Sequence, residues 1–128
     1  MPGSYNKPEK MVEEISADEF EEKIGETDVQ VVDVREESEL AQTEGHVIPD
    51  SLHVPMSRLP TEMDQHDWED EICVICRHGN SSIQAVRLLR AYEGVPEDAT
   101  VVSVAGGYLD YEGELVRAEK ETPEPVGA

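Results

Sequence analysis

A cysteine at position 76 lies between two stretches of opposite character. Residues 71–75 (EICVI) are mostly apolar and β-branched, which predicts a buried strand, whereas residues 77–82 (RHGNSS) are polar and contain a glycine. A thiolate at this junction would lie close to consecutive backbone amides, to the start of a following helix and to Arg77, all of which favour negative charge. The segment therefore predicts that Cys76 is a nucleophile in an anion-binding loop.

The residues of the loop are suited to different roles. Gly79 permits the turn, Arg77 supplies a positive charge and His78 can contact a substrate. The remaining side chains can donate hydrogen bonds or cap the helix that follows: Asn80, Ser81 and Ser82. The alternative is a buried structural cysteine followed by an ordinary loop.

A second cysteine, Cys73, gives the segment the C-x-x-C spacing of redox and metal-binding proteins. In a strand, however, residues three apart point to opposite faces and lie about 10 Å apart, whereas a disulfide needs Cα atoms within about 7 Å. We therefore expect an inert core thiol at Cys73. The four histidines (His46, His53, His66 and His78) lack ligand spacing, and neither GxxxxGK nor GxGxxG is present, so the sequence predicts no metal and no cofactor.

Strands and helices alternate along the chain that must position this loop. Helices are predicted over residues 16–25, with Ser16 as the N-cap and Gly25 as the stop, and over 36–44, 81–94 and 108–115. Strands are predicted over 29–34, 52–55, 71–75 and 100–104, a loop over 45–51, irregular or partly helical chain over 57–70 and a tight turn over 105–107. This order predicts an α/β fold with a central, mainly parallel sheet flanked by helices. The ligand crevice of such a fold lies beyond the carboxyl ends of the strands.

The chain is strongly acidic. Thirty Asp and Glu residues face ten Lys and Arg among 128 residues, for a net charge of −20. The acidic residues are spread along the chain and lysine is scarce, which favours a protein from an extreme halophile over an acidic mesophile protein. Such a charge argues against affinity for nucleic acid or an anionic membrane.

Length and composition predict one domain over residues 13–117. The charged, Pro- and Gly-rich ends predict a flexible leader over 1–12 and a flexible tail over 118–128. The first residues have no apolar stretch typical of a signal peptide, and the apolar runs are too short to cross a bilayer. We therefore expect a cytoplasmic protein.

Taken in order, several segments resemble the rhodanese family from about residue 15 to 115. The segment VVDVREESEL is similar to the family's strand signature, GHVIPDSLHVP to its loop before the second strand, CRHGNSS to its active loop and AGGYLDY to its last turn and helix. The resemblance implies that Cys76 accepts sulfane sulfur from a small anionic donor such as thiosulfate, or from a persulfide. It would hold that sulfur as a persulfide and pass it to a thiophilic acceptor, such as a protein thiol or sulfur carrier. It also implies that residues 77–82 steady the charge, and that Asp33 and Arg35 form a structural ion pair and His46 anchors its loop.

Three residues depart from the family pattern. Ser81 stands where the active loop commonly carries Arg, Val47 is an extra residue in the GH-I-P segment, and Tyr111 stands where Trp is common. The first departure removes a cation and puts efficient use of thiosulfate in doubt. Two other functions stay open: a non-catalytic interaction module, and a phosphatase of the same fold, whose longer loop would need Arg where Ser82 stands.

Overall fold

Five parallel strands form the central sheet of the computed structural model, which describes residues 13–26 and 28–117. The predicted leader (1–12) and tail (118–128) lie outside the described residues. The elements are β1 (Glu14–Ile15), α1 (Ala17–Glu26), β2 (Gln30–Asp33), α2 (Glu37–Gln42), β3 (His46–Val47), β4 (Leu52–His53), α3 (Leu59–Glu62), a 3₁₀ turn (Met63–Gln65), β5 (Glu71–Ile75), α4 (Ser81–Ala91), β6 (Thr100–Val104), α5 (Gly107–Asp110) and β7 (Val116–Arg117). None of the helices within these ranges is long and apolar enough to cross a membrane.

The order of the strands places β5 at the centre of the sheet. The sheet runs β1-β6-β5-β2-β4, and every pairing in it is parallel. Cys73 on β5 is in register with Val31 on β2 and with Val102 on β6. The prediction of a mainly parallel α/β sheet is confirmed, and the carboxyl end of β5, where Cys76 follows, lies between two neighbouring strands.

Each face of the sheet carries its own apolar core. On one face Val32, Val74 and Cys76 pack with Val86 and Leu89 of α4. On the other face Val31, Cys73, Ile75 and Val102 pack with Phe20 of α1. This alternation follows from the two-residue period of a strand. A sheet covered on both faces explains why every residue of β2, β5 and β6 after the first is buried.

Several predicted helix boundaries are wrong, and the reasons for three of them can be identified. Helix α1 continues past Gly25 to Glu26, since glycine in a helix costs only about 1 kcal/mol. Helix α4 ends at Ala91 rather than Gly94, because the chain turns at Tyr92 and buries Val95 in the core. The last helix ends at Asp110, where Tyr111 becomes extended and packs against Phe20.

The predicted loop over residues 45–51 contains a short strand. His46–Val47 pairs with Val116–Arg117 in a separate antiparallel ladder. The strand β1, which the sequence also did not predict, pairs with β6 at the edge of the main sheet. A strand of two residues is too short to show the alternation of apolar and polar residues by which a strand is predicted. It can be recognised only from its pairing with another strand.

We expect the stability of this fold to depend on salt. A net charge of −20 repels itself, and molar salt shortens the Debye length to about 3 Å. If screening contributes about 2 kcal/mol, the midpoint of thermal unfolding should rise by about 10 °C between low and molar potassium chloride. Circular dichroism measures this shift, with sorbitol at equal osmolality as the control for solute exclusion. A flat response to potassium chloride would favour the acidic mesophile protein.

Candidate active site

The thiol of Cys76 lies at the centre of the predicted loop, directly after β5. Its side chain is only 3% exposed. The backbone amides of Gly79 and Ser82 donate to Sγ over 3.0 and 3.3 Å. Ser82 Oγ lies 3.4 Å from Sγ; it accepts from the neutral thiol and can donate to the thiolate. Three polar groups thus converge on one sulfur atom, an arrangement that stabilises negative charge.

Two glycine-dependent turns bring these amides to the sulfur. Gly79 has φ +97°, and a Cβ there would lie 2.8 Å from the amide nitrogen of Gly106. Gly107 has φ +59°, and a Cβ there would overlap the carbonyl oxygen of Cys76. Only glycine combines a positive φ with such a close approach of two backbones. The predicted turn at residues 105–107 therefore connects β6 to α5 and also packs against the active loop.

The start of α5 also holds the active loop by hydrogen bonds. The amide of Tyr108 donates to the carbonyl of Cys76 over 2.9 Å, and the amide of Leu109 donates to the carbonyl of Arg77 over 3.1 Å. These bonds satisfy the carbonyl groups of Cys76 and Arg77, while the amides of Gly79 and Ser82 donate to Sγ.

A buried pair of hydroxyl groups extends the site into the sheet. Ser82 Oγ and Ser103 Oγ lie 2.7 Å apart, and both side chains are fully buried. When Ser82 donates to the sulfur, its oxygen can accept from Ser103. The sequence analysis missed Ser103. A serine among the valines of a buried strand is nevertheless a signal that a polar partner lies nearby, because a buried hydroxyl needs a hydrogen-bond partner.

The other predicted loop residues lie around the entrance to the Cys76 site. Arg77 is half-buried and its Nη1 donates to Oε1 of Gln42 at the end of α2, 2.6 Å away. His78, Asn80 and Ser81 are exposed. Asn80 occupies the N-cap of α4, but its side chain makes no capping hydrogen bond, so the predicted cap is wrong at this residue. The structure thus brings Gly79 and Ser82 to the thiol and leaves the other side chains around the mouth.

Cys73 lies on the opposite face of the sheet, as the strand geometry predicted. Its thiol is buried with Ile75 and Phe20, and both cysteines are free. Burial raises the pKa of the Cys73 thiol to about 12, against the opposing charge of Lys23. Cys73 therefore stays protonated near neutral pH, which makes it a poor nucleophile.

A buried ionic network contacts the active loop through Tyr108. Asp33 and Arg35 pair over 2.9 Å between Oδ2 and Nη2, and their side chains are 0% and 1% exposed. Arg35 stacks on the ring of Tyr108 at 3.7 Å, and the hydroxyl of Tyr108 donates to Asp33 Oδ2 over 3.0 Å. The predicted Asp33–Arg35 pair is confirmed, and Tyr108, whose amide donates to the Cys76 carbonyl, joins this pair to the active loop.

Tyr108 and His46 complete this network. Burial and the charge of Asp33 raise the pKa of Tyr108, so its hydroxyl remains a donor. The carbonyl of His46 accepts from Arg35 over 2.9 Å, and its Nδ1 lies 2.8 Å from the carbonyl of Thr43. His46 thus anchors its loop, as expected. Nothing in the sequence singled out Tyr108.

Comparison with known proteins places this site in a family. A model of the rhodanese-like domain matches residues 16–114. The Bacillus subtilis protein named "Putative sulfurtransferase YtwF" is 34% identical over 104 residues, which cover 80% of this chain and 93% of that protein. An Allochromatium vinosum protein named "Sulfurtransferase" is 35% identical over 80 residues, which cover 62% of this chain and 72% of that protein.

Solved structures agree with this placement. A crystal structure of a rhodanese-like domain protein from Staphylococcus aureus has a TM-score of 0.68 at 28% identity, and the likeness covers 84% of this chain and 99% of that chain. The two chains therefore share one fold over most of their length. The chain therefore belongs to the rhodanese-like domain family.

Proposed function

We propose that this protein is a sulfurtransferase in which Cys76 carries the sulfur as a persulfide. The observation that carries the proposal is the convergence of two amides and one hydroxyl on Cys76 Sγ. A thiolate is the reactive form of cysteine, and these donors favour it. The relatives named as sulfurtransferases support the same reaction class.

The first half-reaction is a displacement at sulfur. The Cys76 thiolate attacks the outer sulfur of the donor, a new S–S bond forms, and the old bond breaks with its electron pair leaving on the rest of the donor. For thiosulfate the leaving group is sulfite. The amides of Gly79 and Ser82 face the sulfur on which charge first resides and later returns, as donors of an oxyanion hole do.

The second half-reaction restores the thiolate. A thiolate of the acceptor attacks the outer, protonated sulfur of the persulfide. The acceptor becomes a persulfide, and the electron pair of the broken S–S bond returns to Cys76. The same hydrogen bonds stabilise Cys76 as the leaving group, because the thiolate that leaves in this step is the species that they stabilise before the first step.

Sulfur loading tests this proposal directly. The purified protein is incubated with thiosulfate or a small persulfide, separated from it and weighed as the intact chain. We expect one added sulfur atom, which a small thiol then removes. A protein that gains no sulfur from any donor of a broad panel would be a non-catalytic rhodanese-like domain.

Ser81 is expected to make this protein a weak user of thiosulfate. The active loop offers a dianion only one charged side chain, Arg77, which is already bonded to Gln42. Arg in place of exposed Ser81 would add a forked, charged donor beside the bound anion. Such a hydrogen bond contributes about 1.5–3 kcal/mol, so Ser81→Arg should raise kcat/KM for thiosulfate by roughly ten- to a hundredfold.

Gln84→Arg is the matched control for this variant. Gln84 is exposed on α4 about one turn beyond Ser81. An arginine at this position adds the same charge as Ser81→Arg but farther from the active loop. Steady-state kinetics at one fixed, high salt concentration compares the three proteins. If the wild type already uses thiosulfate rapidly and Ser81→Arg gains nothing, the amides of the loop suffice and the missing Arg has no consequence.

A further inference from the structure

A serine on β6 lies at the inner end of the Cys76 site. Ser103 is 0% exposed, and its neighbours on the strand are Val101, Val102 and Val104. The alternation of a strand places Ser103 on the same face of the sheet as Val101, which packs in the core on the α4 side. A valine at this position would need no partner, whereas a buried hydroxyl costs stability unless it forms a hydrogen bond. What the hydroxyl of Ser103 contributes therefore depends on the group that it contacts.

That group is the hydroxyl of Ser82 at the start of α4. Ser82 Oγ lies 2.7 Å from Ser103 Oγ and 3.4 Å from Cys76 Sγ. Within residues 13–26 and 28–117, Ser82 Oγ is the only hydrogen-bond partner of Ser103 Oγ. The three atoms Sγ, Ser82 Oγ and Ser103 Oγ thus form a short chain of contacts that begins at the thiol and ends in the sheet.

The number of hydrogen atoms in this chain fits a thiolate better than a thiol. With a neutral thiol, three hydrogens share the two contacts, so one of them lacks an acceptor in the chain. With a thiolate, the two hydroxyl hydrogens fill the two contacts: Ser103 donates to Ser82, and Ser82 donates to the sulfur. A buried polar chain is most stable when every donor in it has an acceptor, so the chain favours the thiolate.

Ser103 determines which way the hydrogens of the chain point. Its hydroxyl has one acceptor, Ser82 Oγ, and a buried hydrogen without an acceptor is costly. When Ser103 donates to Ser82, the hydrogen of Ser82 is left for the sulfur. Without Ser103, the hydroxyl of Ser82 in the first turn of α4 can turn instead to a carbonyl group of the preceding turn. Ser103 therefore holds Ser82 in the orientation that supports negative charge on Cys76.

We propose that Ser103 is a positioning residue that supports the Cys76 thiolate through Ser82. This proposal rests on the proposed sulfurtransferase function and adds a residue to its machinery. The chain stabilises the thiolate that attacks in the first half-reaction and the same thiolate as it leaves in the second. Ser103 forms no hydrogen bond with Sγ itself and supplies no atom to the bonds that form or break.

Alkylation of the unloaded protein tests this role without sulfur transfer. Iodoacetamide is uncharged and reacts with the thiolate, which displaces iodide. Intact mass gives the rate at each pH, and peptide mapping assigns the added group to Cys76. The rate rises with pH to a plateau, because the thiolate is the reactive form. Since each change weakens the support of the thiolate, Ser82→Ala should raise the midpoint of this profile by about one pH unit and Ser103→Ala by about 0.5 pH unit.

The double variant separates positioning from a general structural effect. If Ser103 acts through Ser82, adding Ser103→Ala to Ser82→Ala should shift the midpoint by less than about 0.2 pH unit. The charged and titratable side chains of the loop, α4 and α5 are the same in the wild type and in these variants: Arg77, His78, Arg87, Arg90, Tyr108 and Asp110. Equal shifts in both backgrounds, or no upward shift for Ser103→Ala alone, would overturn the proposal.

Val101→Ala is the matched control for packing. Val101 is 3% exposed and lies on the same face of β6, two residues before Ser103. Its truncation leaves a cavity and should lower the midpoint of thermal unfolding. It removes no hydroxyl, so it should shift the alkylation midpoint by less than about 0.2 pH unit. A shift as large as that of Ser103→Ala would mean that Ser103 acts through packing.

Sulfur loading of the wild type distinguishes this proposal from the proposed function. If the wild type gains sulfur from a sulfane donor but Ser103→Ala leaves the alkylation midpoint unchanged, the role of Ser103 is wrong and the sulfurtransferase stands. If Ser103→Ala shifts the midpoint only when Ser82 is present, but no donor ever loads sulfur, the role of Ser103 stands and the sulfurtransferase is wrong.

Discussion

Replacing Cys76 by serine is expected to abolish sulfur loading completely. A serine oxygen cannot form the S–S bond of a persulfide, and its hydroxyl does not ionise near neutral pH. The loop should keep its shape, because the amides of Gly79 and Ser82 can donate to Oγ as they do to Sγ. Intact-mass measurement after exposure to a sulfane donor should show one added sulfur on the wild type and none on Cys76→Ser.

Cys73→Ser is the matched control for this experiment. Cys73 lies on the other face of the sheet with a pKa raised to about 12, so its loss should leave sulfur loading intact. Its hydroxyl would be buried among apolar side chains and should lower the free energy of unfolding by about 1–3 kcal/mol. Sulfur on Cys76→Ser, or a folded Cys73→Ser that no longer loads, would overturn the assignment of Cys76 as the carrier.

The position of the candidate nucleophile could be predicted from the sequence because its determinants are local. The strand β5, Cys76, Gly79 and the start of α4 follow one another directly, and each has a clear signal of apolar run, polar loop or periodicity. Cys73 could be placed on the opposite face for the same reason, since the two-residue period of a strand fixes it.

The supporting residues could not be predicted because they reach the site through the sheet. Ser103 meets Ser82 only because β6 is the parallel neighbour of β5. Tyr108 contacts Cys76 and Asp33 only because the turn at Gly106 and Gly107 folds back onto the active loop. Strand order and the packing of a turn are properties of the whole fold, so a single sequence contains no local signal for them.

The Asp33–Arg35 pair should be the most costly polar interaction to break. Asp33→Asn keeps the size of the side chain and a carbonyl oxygen that can accept from Tyr108, but it leaves the charge of Arg35 buried without a counter-ion. Removing one partner of a buried pair typically costs about 3–5 kcal/mol. Urea denaturation, which does not add screening ions, should show a loss of this size in the free energy of unfolding.

Glu37→Gln provides the matched control, because it makes the same chemical change at an exposed pair. Glu37 and Arg58 are 71% and 48% exposed and lie 3.4 Å apart, so this change should alter stability by less than about 1 kcal/mol. A second variant, Asp33→Asn with Arg35→Met, removes the stranded charge as well. It should be more stable than Asp33→Asn alone, because the cost of the single change lies in the uncompensated guanidinium and not in the lost attraction. A double variant at least as unstable as the sum of the two single changes would mean that Arg35 acts through its stacking on Tyr108 and its bond to His46.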